Sequence, residues 1–228
     1  MSAAVHDLTL LVVAKAPVAG LAKTRLMTVL SAEQAAVVAA ASLLDTLDAV
    51  ATTPAGRHVV AITGDLGAAT RQVELRRSLE RFTVFDQRGD TLGARLAAAH
   101  ADAGPGPVLQ IGMDTPQVSS ALLADSAGRL AAPGVDAVLG PAHDGGWWGL
   151  GVRAPELARA LIEVPMSRED TGELTLAALR ALGARVELLE PLGDVDEPDD
   201  AAVVAALVPG SRFAEAVAAV GLLRSVHL

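Results

Sequence analysis

The chain holds only two lysines, Lys15 and Lys23, and both fall in one short segment, Lys15-Ala-Pro-Val-Ala-Gly20-Leu-Ala-Lys23-Thr-Arg25-Leu26; the other basic residues are sixteen arginines. An ammonium is a compact point charge on a flexible stem, suited to reaching phosphate oxygens from a loop. The segment follows an apolar run, residues 8–14, that reads as a buried strand. A strand running into a Gly/Pro loop with Lys, Thr and Arg has the makings of a phosphate-binding loop at the edge of a parallel sheet. The bland alternative is a solvated basic turn. Three acidic residues could supply the matching chemistry. Asp114 ends another apolar run, in Ile111-Gly-Met-Asp114-Thr-Pro116, and Asp194 and Asp196 flank a valine in Leu192-Gly-Asp-Val-Asp196. In extended backbone the last two point the same way, which is unfavourable unless a cation lies between them. Magnesium is held by a few carboxylates, with phosphate and water completing its shell. Helix capping by Asp114 and an acidic helix start at Asp196–Asp200 are the structural alternatives.

Two Gly-containing stretches add candidates. Asp86-Gln-Arg-Gly89-Asp-Thr-Leu-Gly93-Ala-Arg95 links a strand to a helix and could bring backbone amides close to a base or phosphate; a surface turn reads equally well. Asp144-Gly145-Gly146-Trp147-Trp148 contains the only tryptophans of a chain with three Phe and no Tyr. Indoles stack on sugar faces and offer an N–H donor, so this stretch is expected on the acceptor side of a cleft. On a strand, adjacent side chains point to opposite faces, so one indole should face the cleft and the other the core. The five histidines show neither metal-ligand nor triad spacing, and no nucleophile-elbow pattern occurs.

The elements that must carry these residues alternate along the chain. Strands are expected at 8–14, 58–63, 82–86, 108–112, 136–140, 148–152 and 185–190. Helices are expected at 31–50, 66–80, 92–103, 119–131, 155–163, 171–183 and 198–207, with a weaker one at 211–225. Such alternation predicts an α/β fold, a mostly parallel sheet with helices on both faces. In that architecture ligands bind beyond the carboxyl ends of the strands, where the candidate loops fall. The 228 residues suit one domain, 1–209, followed by a helical tail, 210–228, that could pack on the domain or on a second copy as a homodimer. A net charge of −9 argues against nucleic acid as a partner. The lack of cysteine excludes disulfides and thiolate metal sites. No signal peptide is visible, and Asp, Ser or Gly interrupts the apolar stretches, so a cytoplasmic protein without a membrane span is expected.

With these pieces laid out, the chain resembles the GT-A-type family called rSAM/selenodomain-associated transferase 1, which has the nucleotide-diphospho-sugar transferase fold. The matching pieces are the Lys15–Leu26 loop, Gln87–Arg95, Gly112–Pro116, Leu139–Trp147 and Asp194–Asp200, in family order over roughly residues 8–205. The layout is similar, more distantly, to 2-phospholactate guanylyltransferase. The resemblance implies Lys15, Gly20, Lys23 and Arg25 on phosphates, and Gly89, Gly93 and Arg95 at the nucleotide. It implies Asp114, Asp194 and Asp196 on Mg²⁺ or Mn²⁺, with Lys23 and Asp114 nearest the chemistry. The acceptor would meet Asp144, Gly145, Gly146, Trp147 and Trp148, although the family more often has tyrosines at the last two. The implied activity is a magnesium-dependent transferase that joins a nucleotide or nucleotide-sugar donor to a small-molecule acceptor. Sugar transfer leads, nucleotidyl transfer with release of pyrophosphate is the alternative, and a non-catalytic nucleotide-binding protein is the third reading.

Overall fold

A computed structural model describes residues 7–224. Seven strands form one sheet in the order β3-β2-β1-β4-β6-β5-β7. They are β1 (Thr9–Lys15), β2 (Arg57–Thr63), β3 (Thr83–Asp86), β4 (Val108–Ile111), β5 (Ala137–Pro141), β6 (Trp147–Val152) and β7 (Val186–Leu188). β1 pairs in parallel with β2 and β4, β2 with β3, and β5 with β7. Among the described strands only β6 is reversed, antiparallel to both β4 and β5. A two-strand hairpin needs only a short loop, and residues 142–146 supply it, so the reversal places the start of β6 beside the ends of β4 and β5. The expected strands all form, within a residue or two at their ends.

The β1 run reads as near-continuous apolar residues because both sheet faces are covered. Leu10, Val12 and Ala14 face a core shared with helix α1 (Ala32–Thr52), α2 (Gln72–Leu79) and α4 (Ser120–Ala131). The other face packs under α3 (Leu92–Asp102), a 3₁₀ segment at Pro155–Glu163 and α5 (Thr171–Ala181). The 155–163 segment is helical as expected but tightened to 3₁₀. α1 starts with a capping box in which Ser31 accepts from the Gln34 N–H while Gln34 accepts from the Ser31 N–H. At 21 residues it is long and apolar enough to cross a membrane, contrary to the expectation that its polar interruptions forbid this. Its most apolar window is 67 % buried against the sheet and its neighbours, the situation of a core helix.

A third cluster joins α1 to α6 (Pro198–Leu207) and α7 (Arg212–Ala219). Phe213 is fully buried there, its N–H donates to Asp45, and Arg212 pairs with Asp45 and Asp48 at 3.0 and 2.8 Å. The segment after Pro209-Gly210 thus lies on α1; residues 225–228 of the expected tail fall outside the described residues.

The two indoles separate as alternation requires, and a bulge decides which goes where. Register shifts between Gly140 and Pro141, so Trp148 becomes the extra residue opposite that step. Trp148 turns into the core at 3 % exposure and donates its Nε1–H to the Glu190 carbonyl at 3.0 Å. Gly140 makes the slot, since a Cβ there would stand 2.3 Å from the indole. Trp147 remains half-buried on the opposite face. Gly140→Ala should therefore evict the indole, red-shift tryptophan emission and cost about 1–3 kcal/mol in urea unfolding, as overpacking does; unchanged emission and stability would show that the slot is not needed.

Candidate active site

The loop after β1 turns back on itself at Lys23, whose backbone adopts the left-handed conformation (φ 51°, ψ 45°) before a 3₁₀ turn at Thr24–Thr28. This directs the Lys23 side chain inward, where it is 6 % exposed. Its ammonium lies 2.6 Å from Asp114 and 3.3 Å from Asp196, and it donates to the Val195 carbonyl. Burial works to lower its pKa, but the Asp114 and Asp196 carboxylates outweigh it and hold the pKa above the ordinary lysine value. Arg25, more exposed, meets the other oxygen of Asp196 at 2.8 Å. The Val195 N–H donates to the Asp114 carbonyl at 3.0 Å, and Ser42 of α1 donates to the Met113 carbonyl at 2.6 Å. Loops far apart in sequence are thus bolted to one point.

Beside this cluster, Asp144, Asp194 and Asp196 bring one carboxylate oxygen each within 4.8 Å of one another. The pair Asp194–Asp196 converges as its spacing predicts, but its third partner is Asp144, expected on the acceptor side, while Asp114 is engaged by Lys23. Partial burial, then the charges of Asp144 and Asp196, raise the Asp194 pKa to about 6. Three hard anionic oxygens, one of them reluctant to ionise, suit a divalent cation with oxygen ligands.

Asp144 is placed by interlocked glycines. Its Oδ1 accepts from the Gly146 N–H at 2.8 Å. Gly145 (φ +86°) lies so close to the Glu169 carbonyl that a Cβ would be 1.8 Å away, and Gly172 of α5 donates to the Gly145 carbonyl at 2.8 Å. Gly145 therefore owes its identity to backbone packing just ahead of α5, while a Cβ at Gly146 would press on the Asp144 carboxylate at 3.1 Å.

These residues rim a cleft of about 1090 Å³ whose wall includes Arg25, Asp114, Asp144, Trp147, Asp194 and Asp196. Much of the expected nucleotide set stands elsewhere. Lys15 is exposed at the end of β1, Gly20 (φ +77°) has open space around it, and neither lines this cleft. Lys23 is a counter-ion within the acidic cluster rather than a free cation on the cleft wall. Gly93 lets α3 approach the 3₁₀ segment, because a Cβ would be 2.1 Å from the Leu161 carbonyl. Gly89 (φ +129°) folds the chain against Ala94, and the Arg95 Nε is buried without a partner among the described residues. The residues α3 presents to the cleft are Leu92 and Leu96. Among the polar wall residues that were missed are Thr115, whose buried hydroxyl has no partner among the described residues, and Gln110, a polar residue inside the apolar run Val108-Leu-Gln-Ile111. That interruption was the visible signal.

Residues 46–168 match the family described as an uncharacterized protein conserved in bacteria, DUF2064. The chain belongs to the DUF2064 family. The matched stretch carries Gln110, Asp114, Asp144 and both tryptophans, and leaves the Lys23 loop and the Asp194–Asp196 pair outside it. No curated protein matches. Among solved structures, the DUF2064 chain is similar to a candidate nucleotide-diphospho-sugar transferase from Desulfovibrio desulfuricans G20, at 26 % identity and TM-score 0.80, covering 96 % of this chain and 94 % of that one. It also shares its fold with a cytidylyltransferase from Leptospira borgpetersenii serovar Hardjo-bovis (10 % identity, TM-score 0.60, 97 % and 98 % covered). A third structure is CMP:2-keto-3-deoxy-manno-octonic acid synthetase complexed with CTP (10 % identity, TM-score 0.57, 88 % and 98 % covered).

Two outcomes follow from the ion cluster. Lys23→Met leaves Asp114 and Asp196 without their shared cation; it should cost about 1–3 kcal/mol in denaturant melts, less than for a fully buried pair because both carboxylates stay partly exposed. Added Mg²⁺ should recover part of that loss, and a loss indifferent to Mg²⁺ would show that Lys23 and a cation do not answer to the same carboxylates. In chelator, the contribution of Asp194 has a defined sign. The folded state holds this proton to about 6 where the ordinary value is 3.8, so stability falls as pH rises through that window. Asp194→Asn should flatten the pH dependence between those values, and a slope unchanged by the substitution would assign the effect to another group.

Proposed function

We propose that the DUF2064 chain is a transferase that takes an activated nucleotide, with a nucleoside-diphosphate sugar as the favoured donor. The observation that carries this reading is the meeting of Asp144, Asp194 and Asp196 with Arg25 at the rim of one large cleft. Charge of both signs at the strand ends suits a diphosphate bound with a divalent cation. Likeness to the Desulfovibrio protein and the motif order shared with the rSAM/selenodomain-associated transferases both favour sugar transfer. The shared fold of the cytidylyltransferases keeps nucleotidyl transfer as the second reading.

The carboxylates fit Mg²⁺ or Mn²⁺: Asp144, Asp194 and Asp196 would hold the ion, which supplies charge neutralisation for the diphosphate when bound. The chain's own residues do the rest. Arg25, 59 % exposed and fixed at one end by Asp196, can turn a guanidinium edge to phosphate oxygens. Lys23 is already charged, and with its three N–H donors engaged by Asp114, Asp196 and the Val195 carbonyl it holds both carboxylates in place beside Arg25. Trp147 gives an apolar wall for a ring, and the interlocked Gly145–Gly146 backbone keeps Asp144 from drifting.

Product analysis tests the reading. With Mg²⁺ and a panel of nucleotide sugars and nucleoside triphosphates, slow release of nucleoside diphosphate is expected from a nucleotide sugar, abolished in Asp194→Asn. Pyrophosphate release from a triphosphate would establish the second reading; binding without either product would leave a nucleotide-binding protein. Arg25→Ala should weaken binding more as phosphates are added to the ligand, by about tenfold for a triphosphate. Equal losses for a nucleoside and its triphosphate would remove Arg25 from the phosphate site.

A further inference from the structure

Away from its charged rim, the cleft is uncharged. Val13, Leu92, Leu96, Trp147 and Met166 wall it, and its cations, Arg25 and Arg168, are exposed residues of the surrounding loops. On the sheet floor of this apolar part stands Gln110, 2 % exposed. Its neighbours in register are Leu11 of β1 and Leu150 of β6, both fully buried. A carboxamide between two buried leucines costs free energy unless its polar atoms are paired.

One atom is paired. The Gln110 Oε1 lies 3.0 Å from Nε2 of His100 on α3. His100 is wholly buried, and burial lowers its pKa to about 4, so at neutral pH the ring is uncharged and carries one N–H. A carboxamide oxygen has no proton to give, so Nε2 donates; Nδ1, which has no partner among the described residues, is the bare nitrogen. With its oxygen held by His100, Gln110 has its NH₂ left over. That nitrogen makes no hydrogen bond among the described residues, although the residue lines the cleft. Two residues on, Gly112 takes the same face, opposite the core-facing Leu109, Ile111 and Met113. A Cβ at Gly112 would meet nothing nearer than the Asp114 nitrogen at 3.9 Å, so the floor between Gln110 and the ion cluster is bare.

We propose that this part of the cleft is the acceptor subsite and takes an uncharged polyhydroxylated ring, a pyranoside, with one of its oxygens accepting from the Gln110 carboxamide and its apolar face against Trp147. The assignment as acceptor rests on the transferase reading above. An anionic group at this depth would be desolvated with no cation to pair it, so uronates and sugar phosphates are rejected here. Gln110 is then a specificity-determining residue, and His100 positions it by fixing which way the amide points.

The test is fluorescence titration of the full chain with methyl pyranosides, the corresponding uronates and hexose phosphates, with Trp147→Phe to assign the signal. Neutral pyranosides should give a saturable change, weakened about tenfold in Gln110→Leu, the loss of one buried hydrogen bond. Uronates and phosphates should bind at least tenfold more weakly than their neutral counterparts. Gln110→Met, closer in shape, replaces Gln110→Leu should the latter fail to fold, and discrimination against uronates needs no variant. Unchanged affinity in the Gln110 variants, uronates binding as well as neutral glycosides, or no saturable signal from any pyranoside would each overturn the proposal. Calorimetry with nucleotides and Mg²⁺ on the same proteins separates the two readings. If pyranosides bind through Gln110 while no nucleotide binds, the subsite stands and the transferase reading falls.

Discussion

A single buried ammonium organises the functional edge of this molecule. Lys23 is removed from water almost completely, which a lysine tolerates only where anions compensate for the lost hydration. Asp114, Asp196 and the Val195 carbonyl provide that compensation, and each comes from a different stretch of chain than Lys23 itself. The reverse dependence is as strong. Asp144, Asp194 and Asp196 stand close enough to repel, and Lys23 and Arg25 are the cations that let this acidic group exist in the folded chain without a ligand. The left-handed backbone at Lys23 is the local strain that this arrangement absorbs.

Backbone contact does for the other side of the cleft what charge does for this one. The β5–β6 hairpin is held by a run of close approaches that a side chain would forbid: Gly140 under the Trp148 indole, Gly145 against the Glu169 carbonyl, Gly172 against the Gly146 carbonyl. Because these contacts involve backbone atoms, they leave little freedom for the 142–146 loop. Asp144 and Trp147, at opposite ends of Gly145–Gly146, are thereby fixed relative to each other, one at the acidic group and one on the apolar wall.

The cleft consequently runs from an ionic rim to a neutral floor. Charged groups sit where the parallel strands β1, β4, β5 and β7 end and the reversed β6 begins, while the floor offers packing area and one buried carboxamide. Such a gradient sorts the two halves of a bipartite ligand by polarity, since desolvating an anion on the floor costs far more than at the rim. A reversed strand is what brings the two regions together, because it returns the chain to the same edge after a loop of five residues.

The sequence by itself determined the alternating elements, the parallel half of the sheet, the edge at which the loops gather, the convergence of Asp194 with Asp196, and the division of the two indoles between opposite faces. These follow from local rules: apolar runs, caps, and the period of two along extended chain. Tertiary structure alone decided the partners. Asp144 joins Asp194 and Asp196 in the acidic group while Asp114 lies on Lys23, and such a grouping depends on the three-dimensional course of two loops that no spacing encodes. Simple alternation from Leu150 would have put Trp148 on the cleft face; the bulge at Gly140–Pro141 reverses that parity. Gly93 reads from the sequence as a nucleotide-loop glycine, and only the fold shows that the Leu161 carbonyl approaches it too closely for a side chain. Gln110 was visible as a polar residue in an apolar strand, yet its surroundings came only from the fold, which lays His100 of α3 across its oxygen and puts the residue on the cleft lining.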